Sequence, residues 1–484
     1  MAAKFQSLRD PSLLIGKNFI GGQWVESISG QRFAVHDPAT NEYIGSCPES
    51  VAEDAEAAIK AAASAMPLWY KLTGRERSRI LRRWYELVVY NREDLATLIC
   101  RENGKARTDS LGEVDFSASF LEWFAEEAAR VYGDVIPHSS RGFRVHVTKE
   151  PVGVCGMITP WNFPGAMVTR KVAPALAVGC SVVIKTAGET PFTANAIIAL
   201  SERAGVPKGV INIVCALNNS PAIGQVFRAS TVVRKISFTG STRVGSLLMA
   251  QSSDSLKKLS LELGGNAPFI VFNDASVDIA VQSAIVAKFK SGIYDEFLRK
   301  LVEAVKAFKL GNSADYTVTH GPLINERAAV RVAGLVDDAV AKGATVALGG
   351  KRMLSLGTAF FEPTVLTDVS ETMRIMDEEI FGPIAAIQKF QTEEEAIVIA
   401  NNCEVGLASY LFAENAGRIA RVSEALHSGM VAVNTGVISD AAAPFGGVKQ
   451  SGLGREGNKY GVDDYLQLKT VVTGNVSTAC RSYI

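Results

Sequence analysis

Two polar residues follow predicted strands in this 484-residue sequence, at positions where a side chain could take part in chemistry. Glu262 ends one strand, and Gly264 and Gly265 behind it let the backbone pass close to another group. Asn162 lies in a loop after another strand, between two prolines that stiffen the turn. A fixed amide can donate a hydrogen bond to a developing oxyanion, whereas an isolated loop asparagine is usually only a turn residue.

A third segment has the character of an anion-binding turn. Residues 238–245, Phe-Thr-Gly-Ser-Thr-Arg-Val-Gly, end a strand and open a helix. Free N–H groups at a helix N-terminus suit a pyrophosphate, and the glycines allow its close approach. The spacing differs from the usual GxGxxG pattern, so this segment alone is a weak indication of a nucleotide site.

Together these motifs resemble the aldehyde dehydrogenase superfamily, and the resemblance covers about residues 14–469. Residues 257–268 are similar to its general-base motif, which makes Glu262 the base. The loop at 159–164 is similar to the motif whose asparagine, here Asn162, forms the oxyanion hole. Succinate-semialdehyde dehydrogenases are the most similar group, on residues 167–171, 263–272 and 444–457. The resemblance implies NAD(P)-dependent oxidation of an aldehyde to an acid, most specifically succinate semialdehyde to succinate in GABA catabolism.

The resemblance also assigns residues to the nucleotide. Lys185 is expected to hold the adenosine ribose, Glu379 to bond the nicotinamide ribose, and Phe381 to pack on the nicotinamide ring. The family often has Glu three residues after that lysine, whereas this chain has Gly188, with Glu189 one step on. Without that carboxylate NAD and NADP both stay open, with a slight preference for tolerance of NADP. The other residues expected at the nucleotide are Trp161, Gly240, Ser241, Gly245 and Leu263.

An arginine is implied at the far end of the substrate. Arg170 matches the family arginine that grips the distal carboxylate, a task suited to the forked guanidinium. The second arginine of that site precedes the nucleophile, and its nearest counterpart here is Lys290. Recognition of the carboxylate is therefore expected to rest on Arg170.

The attacking atom of the family's chemistry is missing from the sequence. In the family a cysteine thiolate attacks the aldehyde, hydride leaves for the nicotinamide, and a Glu-activated water hydrolyses the thioester. Here a helix predicted over 276–290 runs through Ser291 and Gly292 into a helix at 293–308, and no cysteine lies between Cys215 and Cys403. Against the family pattern the gap is about fifteen residues, enough for a loop and an ordinary strand of about five residues.

Three hypotheses stay open. The first is a dehydrogenase whose sequence lacks a segment through a gene-prediction error, an alternative transcript or a real deletion, and the abrupt cut between intact motifs favours it. The second is a non-catalytic nucleotide-binding or subunit-pairing protein on the same scaffold. The third, an oxidoreductase with another mechanism, is least favoured because nothing replaces the thiol. Under the first hypothesis the chain as written is expected to be inactive.

The element pattern predicts an α/β fold with two doubly wound parallel-sheet domains and a small β oligomerisation arm. The nucleotide-binding domain is assigned to residues 1–140 and 151–258, the catalytic domain to 259–435 with the gap near 290–292, and the arm to 141–150 and 460–484. Strands are expected at 152–158, 181–185, 210–214, 235–238, 267–272, 345–348, 385–390, 407–412 and 430–434, and helices at 192–204 and 241–250.

Composition narrows the class of partner. Lys+Arg 50 against Asp+Glu 50 leaves no net charge to attract nucleic acid or an anionic membrane. No apolar run reaches the roughly 18 residues that span a bilayer. Seven cysteines and five histidines lack the spacing of a metal site or of paired disulfides, which favours a reducing, cytoplasmic location without metal. A small-molecule aldehyde and further copies of the chain, in a dimer or tetramer, are the expected partners.

Overall fold

The computed structural model describes residues 7–286, 290–291 and 294–474 and has an α/β architecture. The strands are β1 (Asn18–Ile20), β2 (Gln23–Val25), β3 (Arg32–His36), β4 (Tyr43–Pro48), β5 (Asp134–Pro137), β6 (Arg144–Pro151), β7 (Val154–Ile158), β8 (Ser181–Thr186), β9 (Ile211–Cys215), β10 (Val233–Thr239), β11 (Lys258–Glu262), β12 (Phe269–Val271), β13 (Lys290–Ser291), β14 (Thr345–Leu348), β15 (Thr364–Thr367), β16 (Ile384–Ala386), β17 (Val405–Gly406), β18 (Ala408–Phe412), β19 (Met430–Val433), β20 (Val448–Lys449), β21 (Gly452–Leu453) and β22 (Leu466–Thr473). After a short 3₁₀ turn at Pro11–Leu13, the helices are α1 (Ala52–Lys71), α2 (Gly74–Tyr90), α3 (Arg92–Asn103), α4 (Arg107–Glu127), α5 (Ala166–Val178), α6 (Pro191–Ala204), α7 (Ser220–Ala229), α8 (Thr242–Ser252), α9 (Val277–Val286), α10 (Tyr294–Lys306), α11 (Glu326–Ala341), α12 (Arg374–Asp377), α13 (Glu393–Asn401), α14 (Ala416–Ala425) and α15 (Tyr460–Asp463).

The largest sheet has the strand order β2-β1-β9-β8-β7-β10-β11-β21, and β9 to β11 run parallel. Every residue of β8 is buried, as expected for a parallel strand that helices cover on both faces. Val182 and Ile184 pack into the core with α5 and α6, whereas Val183 packs with α1 and α7. The predicted doubly wound fold is therefore confirmed for this sheet, and its predicted strands agree with β7 to β10 within about two residues.

The second set of strands forms two smaller sheets instead of one. One has the order β13-β12-β18-β19 and is parallel, and the other has the order β14-β15-β16, with β14 antiparallel to β15. The five predicted strands correspond to β12, β14, β16, β18 and β19, whereas β15 was not predicted. Both sheets share one hydrophobic core, to which β12 contributes Phe269 and Val271 and the other sheet contributes Val365 and Ala385.

The predicted break between the helices contains a strand of two residues. The helix predicted over 276–290 is wrong at its last residue, because Lys290 belongs to β13, which pairs in parallel with Ile270 and Val271 of β12. The predicted gap at 290–292 falls partly outside the described residues, which lack 287–289 and 292–293. Among the described residues no strand pairs with the other side of β13, and β16 pairs only with β15. β13 is therefore a two-residue strand beside β12, and among the described residues no strand links it to the sheet of β14, β15 and β16.

The predicted arm is a separate three-stranded antiparallel sheet. β22 pairs with β6 from Leu466 opposite Pro151 to Thr473 opposite Arg144. β5 joins the other edge of β6, so part of the arm lies before residue 141, where its predicted boundary stood. All residues of β22 after Leu466 are exposed, and residues 475–484 of the predicted arm lie outside the described residues.

Within the described ranges, no helix has both the length and the apolarity to cross a bilayer. The same residues contain no group of three or more His, Cys, Asp or Glu side chains placed to hold a metal ion.

Candidate active site

The carboxyl ends of β7, β10 and β11 meet at one edge of the largest sheet and form the wall of a cavity of about 360 Å³. Ligands of open α/β sheets bind at this edge. The predicted site residues on the cavity wall are Trp161, Asn162, Gly240, Ser241, Glu262, Leu263, Glu379 and Phe381. The wall also contains Gly264, where a close approach of the backbone was predicted, and Thr239, Arg331 and Leu407, for which the sequence predicted no role. Lys185, Gly188, Gly245 and Arg170 lie elsewhere.

Glu262 is a buried carboxylate at the end of β11. Its Oε2 accepts a hydrogen bond of 2.8 Å from Thr239 Oγ1, and its backbone oxygen accepts one of 3.0 Å from Gly240 N–H. Burial raises the pKa of Glu262 above its ordinary value, the nearby charge of Arg170 opposes that rise, and the charge of Glu456 adds to it. A carboxylate whose pKa is raised towards neutrality is suited to accept a proton from water.

Asn162 is held by its backbone while its side chain stays unpaired. Lys105 Nζ donates to Asn162 O at 2.9 Å, and Asn103 Nδ2 donates to Trp161 O at 2.8 Å. The buried Asn162 Oδ1 has no hydrogen-bond partner among the described residues. An unsatisfied buried amide is costly and is found where a ligand or water completes the site. Asn162 Nδ2 likewise makes no hydrogen bond within the described residues, and it is this N–H group, on the cavity wall, that could donate to a substrate oxygen.

The turn from β10 to α8 has the geometry that the predicted anion site needs. Ser241 is the N-cap of α8, and its side chain makes no capping bond, so the first N–H groups of the helix are open. Gly245 does not reach the cavity, because a Cβ there would lie 2.4 Å from Leu263 Cδ2. Because Gly245 has no side chain, α8 can pack against Leu263 of the base motif. This packing places the N-terminus of the helix beside Glu262.

Glu379 and Phe381 enter the cavity from the opposite side. A Cβ at Gly264 would lie 2.9 Å from Glu379 Oε2, so the glycine makes room for that carboxylate. Phe381 has a φ of 45°, which is rare for a bulky residue, and its ring lies edge-on to Trp161 at 5.2 Å between centroids. Arg331 Nη2 donates to Ile380 O at 3.2 Å and thereby braces the strained segment. Such strain is concentrated at ligand sites.

Arg170 lies in a buried cluster of charged side chains. The side chain is 1 % exposed, its Nε lies 2.7 Å from Glu456 Oε2, and its Nη2 lies 4.0 Å from Glu262 Oε2. The guanidinium stacks on the ring of Phe445 at 3.8 Å. Its Nη2 is buried without a hydrogen-bond partner among the described residues. In this structure Arg170 is a buried neighbour of two carboxyl groups, and its binding of a substrate carboxylate stays a prediction.

Lys171 and Glu456 complete this buried cluster and were missed as functional residues. Lys171 Nζ donates to Glu456 Oε1 and, at 3.1 Å, to Ser237 Oγ. Although burial raises the pKa of Glu456, the charges of Lys171 and Arg170 outweigh it and hold that pKa below its ordinary value. Both residues lie within motifs quoted for the resemblance, but only Lys171 carried a local signal, as a charged residue inside the apolar helix α5. The cluster sets the charge that Glu262 experiences.

Lys185 and Gly188 lie together at the carboxyl end of β8. Lys185 is 6 % exposed, and burial lowers its pKa to about 8. A Cβ at Gly188 would lie 2.7 Å from Leu217 Cδ1 and 2.8 Å from Leu217 Cα. No side chain fits at 188 while Leu217 keeps its place, so the missing carboxylate there reflects packing against the loop after β9.

A second cavity of about 460 Å³ adjoins the first and shares Glu379, Phe381 and Leu407 with it. Phe445, from the C-terminal motif, lies on its wall, and Ser451 Oγ of the same motif donates to Gly264 O at 2.6 Å. No described cysteine lines either cavity. Glu262 and Asn162, the predicted base and oxyanion donor, thus line a cavity whose described wall contains no thiol.

The fold and this site define a nucleotide-dependent oxidoreductase of the aldehyde-oxidising type, and comparison with known proteins gives its family. A family model described as "Aldehyde dehydrogenase family" matches residues 24–471 of this chain. The chain belongs to the aldehyde dehydrogenase family, which confirms the resemblance inferred from its motifs.

Individual relatives cover nearly the whole chain. It is 50% identical to a 3-sulfolactaldehyde dehydrogenase of Pseudomonas putida, over 97% of this chain and 99% of the relative. It is 48% identical to the mitochondrial succinate-semialdehyde dehydrogenase of Oryza sativa, over 98% and 92%. The crystal structure of succinate-semialdehyde dehydrogenase from Burkholderia pseudomallei matches with a TM-score of 0.95 at 50% identity, over 97% of this chain and all of that one.

Proposed function

We propose that this chain is built to oxidise a short aldehyde that carries an anion at its far end, most specifically succinate semialdehyde, with NAD or NADP, and that the chain as written cannot complete the reaction. One observation carries the proposal. Glu262, Asn162 and the open N-terminus of α8 face a single cavity whose described wall contains no cysteine. The machinery for binding and for proton transfer is present without the atom that attacks the aldehyde.

The residues of the chain divide the work. The first N–H groups of α8 bind the pyrophosphate, and Lys185 and Glu379 hold the two riboses. The nucleotide, when bound, supplies a hydride acceptor. Asn162 donates to the carbonyl oxygen as it gains negative charge, and Glu262 takes a proton from the water that releases the acid. The charges of Arg170, Lys171 and Glu456 adjust the pKa of Glu262.

The names of the relatives support the substrate class. Their printed substrates, 3-sulfolactaldehyde, succinate semialdehyde and glutarate semialdehyde, share an aldehyde at one end and an acid group at the other. The second cavity, beside Phe445, is where we place such a substrate. Arg170, whose guanidinium stacks on Phe445 and whose Nη2 is unpaired among the described residues, stays the residue that we assign to the far anion.

A charge at the N-terminus of α8 tests the nucleotide site in the chain as it stands. Ser241→Asp adds a carboxylate at an exposed N-cap, where it stabilises a helix, so folding should be unaffected. The same charge repels the pyrophosphate, and we expect the Kd for NAD in calorimetry to rise at least about tenfold, or about 1.4 kcal/mol.

Ser241→Asn is the matched control, because it caps the helix without a charge and should leave the Kd within about threefold. Failure of the folded parent chain to bind either nucleotide would overturn the proposed function. Equal affinities in the Asp and Asn variants would remove the pyrophosphate from this helix.

The second candidate function is that of a non-catalytic nucleotide-binding or subunit-pairing protein. The open edge of the arm favours it over the third hypothesis, an oxidoreductase with another mechanism. Exposed Leu468 and Val472 on β22 and exposed Ile136 on β5, which lies in register with Val472 across Val145, give one face of this sheet an apolar surface. We propose that the arm pairs copies of the chain into a dimer or tetramer. The cytoplasmic location stays a prediction from the sequence.

A further inference from the structure

Glu49 is a buried carboxylate that the proposed function does not use. It follows β4 and is 5 % exposed. Its Oε1 accepts hydrogen bonds from Leu217 N–H at 3.1 Å and Asn219 N–H at 2.8 Å. Its Oε2 is buried without a hydrogen-bond partner among the described residues. A buried carboxylate oxygen left unpaired is costly, which points to a donor that binds there.

The backbone around Glu49 fixes the direction of this side chain. Glu49 N–H donates to Gln31 O at 2.9 Å, and its backbone oxygen accepts from Ser29 Oγ at 3.2 Å. Asn219 Nδ2 donates to Ser50 O at 3.1 Å. The carboxylate is therefore attached to the loop that follows β9, at the nucleotide edge of the sheet.

Lys185, at the end of β8, lies opposite Val214 of the neighbouring strand β9, three residues before the Leu217 to which Glu49 is bound. Within the described ranges its Nζ forms no hydrogen bond and no ion pair. Burial lowers the pKa of Lys185, and the carboxylates of Glu189 and Glu49 oppose that fall. An unpaired ammonium and an unpaired carboxylate oxygen thus lie at the same end of the sheet, where the adenosine ribose is expected.

This pair matches the chemistry of a sugar hydroxyl. A hydroxyl accepts a hydrogen bond from an ammonium and donates one to a carboxylate, so it can satisfy Lys185 and Glu49 together. A phosphate in place of the hydroxyl carries about −1.5 to −2 charges at neutral pH and repels the carboxylate. Gly188 cannot take this part, because Leu217, held in place by Glu49, fills the space of any side chain there.

We propose that Glu49 binds a hydroxyl of the adenosine ribose together with Lys185 and selects NAD over NADP. The inference rests on the proposed function, since it deepens the nucleotide site. It reverses the slight preference for NADP tolerance that Gly188 alone suggested. Glu189 is the competing carboxylate, but it is half-buried, has no fixed partner and is better screened by water.

The test is calorimetric titration of the purified chain with NAD and NADP at one salt concentration. The parent should bind NAD at least about tenfold more tightly than NADP. Glu49→Gln keeps an oxygen for the two loop N–H groups and removes the charge, so the preference should fall at least about fivefold. Glu189→Gln, the matched control near the same ammonium, should leave it within about twofold.

A ligand-side measurement covers the case in which Glu49→Gln does not fold. An NAD analogue without the adenosine 2′-hydroxyl should bind the parent at least about tenfold more weakly than NAD, because Glu49 Oε2 is then left unpaired. Equal binding of the analogue, or a preference that Glu189→Gln changes and Glu49→Gln does not, would overturn the inference. Failure of the parent to bind either nucleotide would instead contradict the proposed function.

Discussion

Insertion of a cysteine-bearing loop and strand between Lys290 and Gly292 is expected to raise the rate of succinate semialdehyde oxidation at least about 10⁴-fold over the chain as written. Residues that act as one catalytic unit lose nearly all turnover when the nucleophile is absent, so supplying it should recover most of the rate. The measurement is the absorbance of reduced nucleotide under saturating substrate. The base, the oxyanion donor and the nucleotide residues already face one cavity.

An insert of equal length with serine in place of the cysteine is the matched control. Both inserts supply a full strand beside β12, where two residues now pair, and both should raise the melting temperature. Only the cysteine insert should turn over, which separates folding from chemistry. It should use succinate semialdehyde at least about tenfold better than the uncharged butanal. Equal rates for the two inserts would contradict the role given to the thiol, and a preference for butanal would contradict the substrate.

In the restored protein, Glu262→Gln should lower steady-state turnover by about 10²–10⁴-fold while a first burst of reduced nucleotide persists. Hydride transfer precedes hydrolysis of the thioester, so loss of the base that activates water should stop the reaction after one round. Burial raises the pKa of Glu262. Turnover of the restored protein with Glu262 intact should therefore rise with pH as that carboxyl loses its proton. Rapid-mixing absorbance distinguishes the burst from the steady state.

Glu378, half-buried and paired with Arg374, offers a control of the same chemical change, and Glu378→Gln should leave the rate unaltered. Steady-state turnover of Glu262→Gln within about threefold of the restored parent would remove Glu262 as the base. Disappearance of the burst as well would assign Glu262 to a step before hydride transfer.

The largest sheet and the residues at its carboxyl edge were predictable because local patterns determine them. Apolar β-branched runs such as β8 are buried on both faces, and a polar residue at the end of such a strand must lie at the ligand edge. Glu262, Asn162 and Ser241 follow three of these strands, so their convergence on one cavity required only a parallel sheet.

Residues whose role depends on distant partners were not predictable in this way. Arg170 matched a substrate-binding motif, but its neighbour in space is Glu456, 286 positions along the chain. A pattern within α5 cannot show that contact. For the same reason the sequence did not predict a role for Glu49, because its partners Leu217 and Asn219 belong to the loop after β9.

The division of the strands from β12 to β19 into two sheets could not be predicted from local sequence patterns either. The alternation of elements called for a strand at the gap, but only the structure shows how far two residues can replace it. β13 pairs with β12 alone, while β16 and β12 still share one core. Packing of apolar side chains therefore holds the two sheets together where backbone pairing does not.

The central claim is that a complete nucleotide site faces a cavity without a nucleophile. It is tested most directly by a single-turnover measurement on the purified chain as written, in molar excess over NAD and with saturating succinate semialdehyde. The account predicts that NAD binds and that no reduced nucleotide forms above the level of the serine-insert control. Formation of one equivalent of reduced nucleotide, lost in Glu262→Gln, would contradict it.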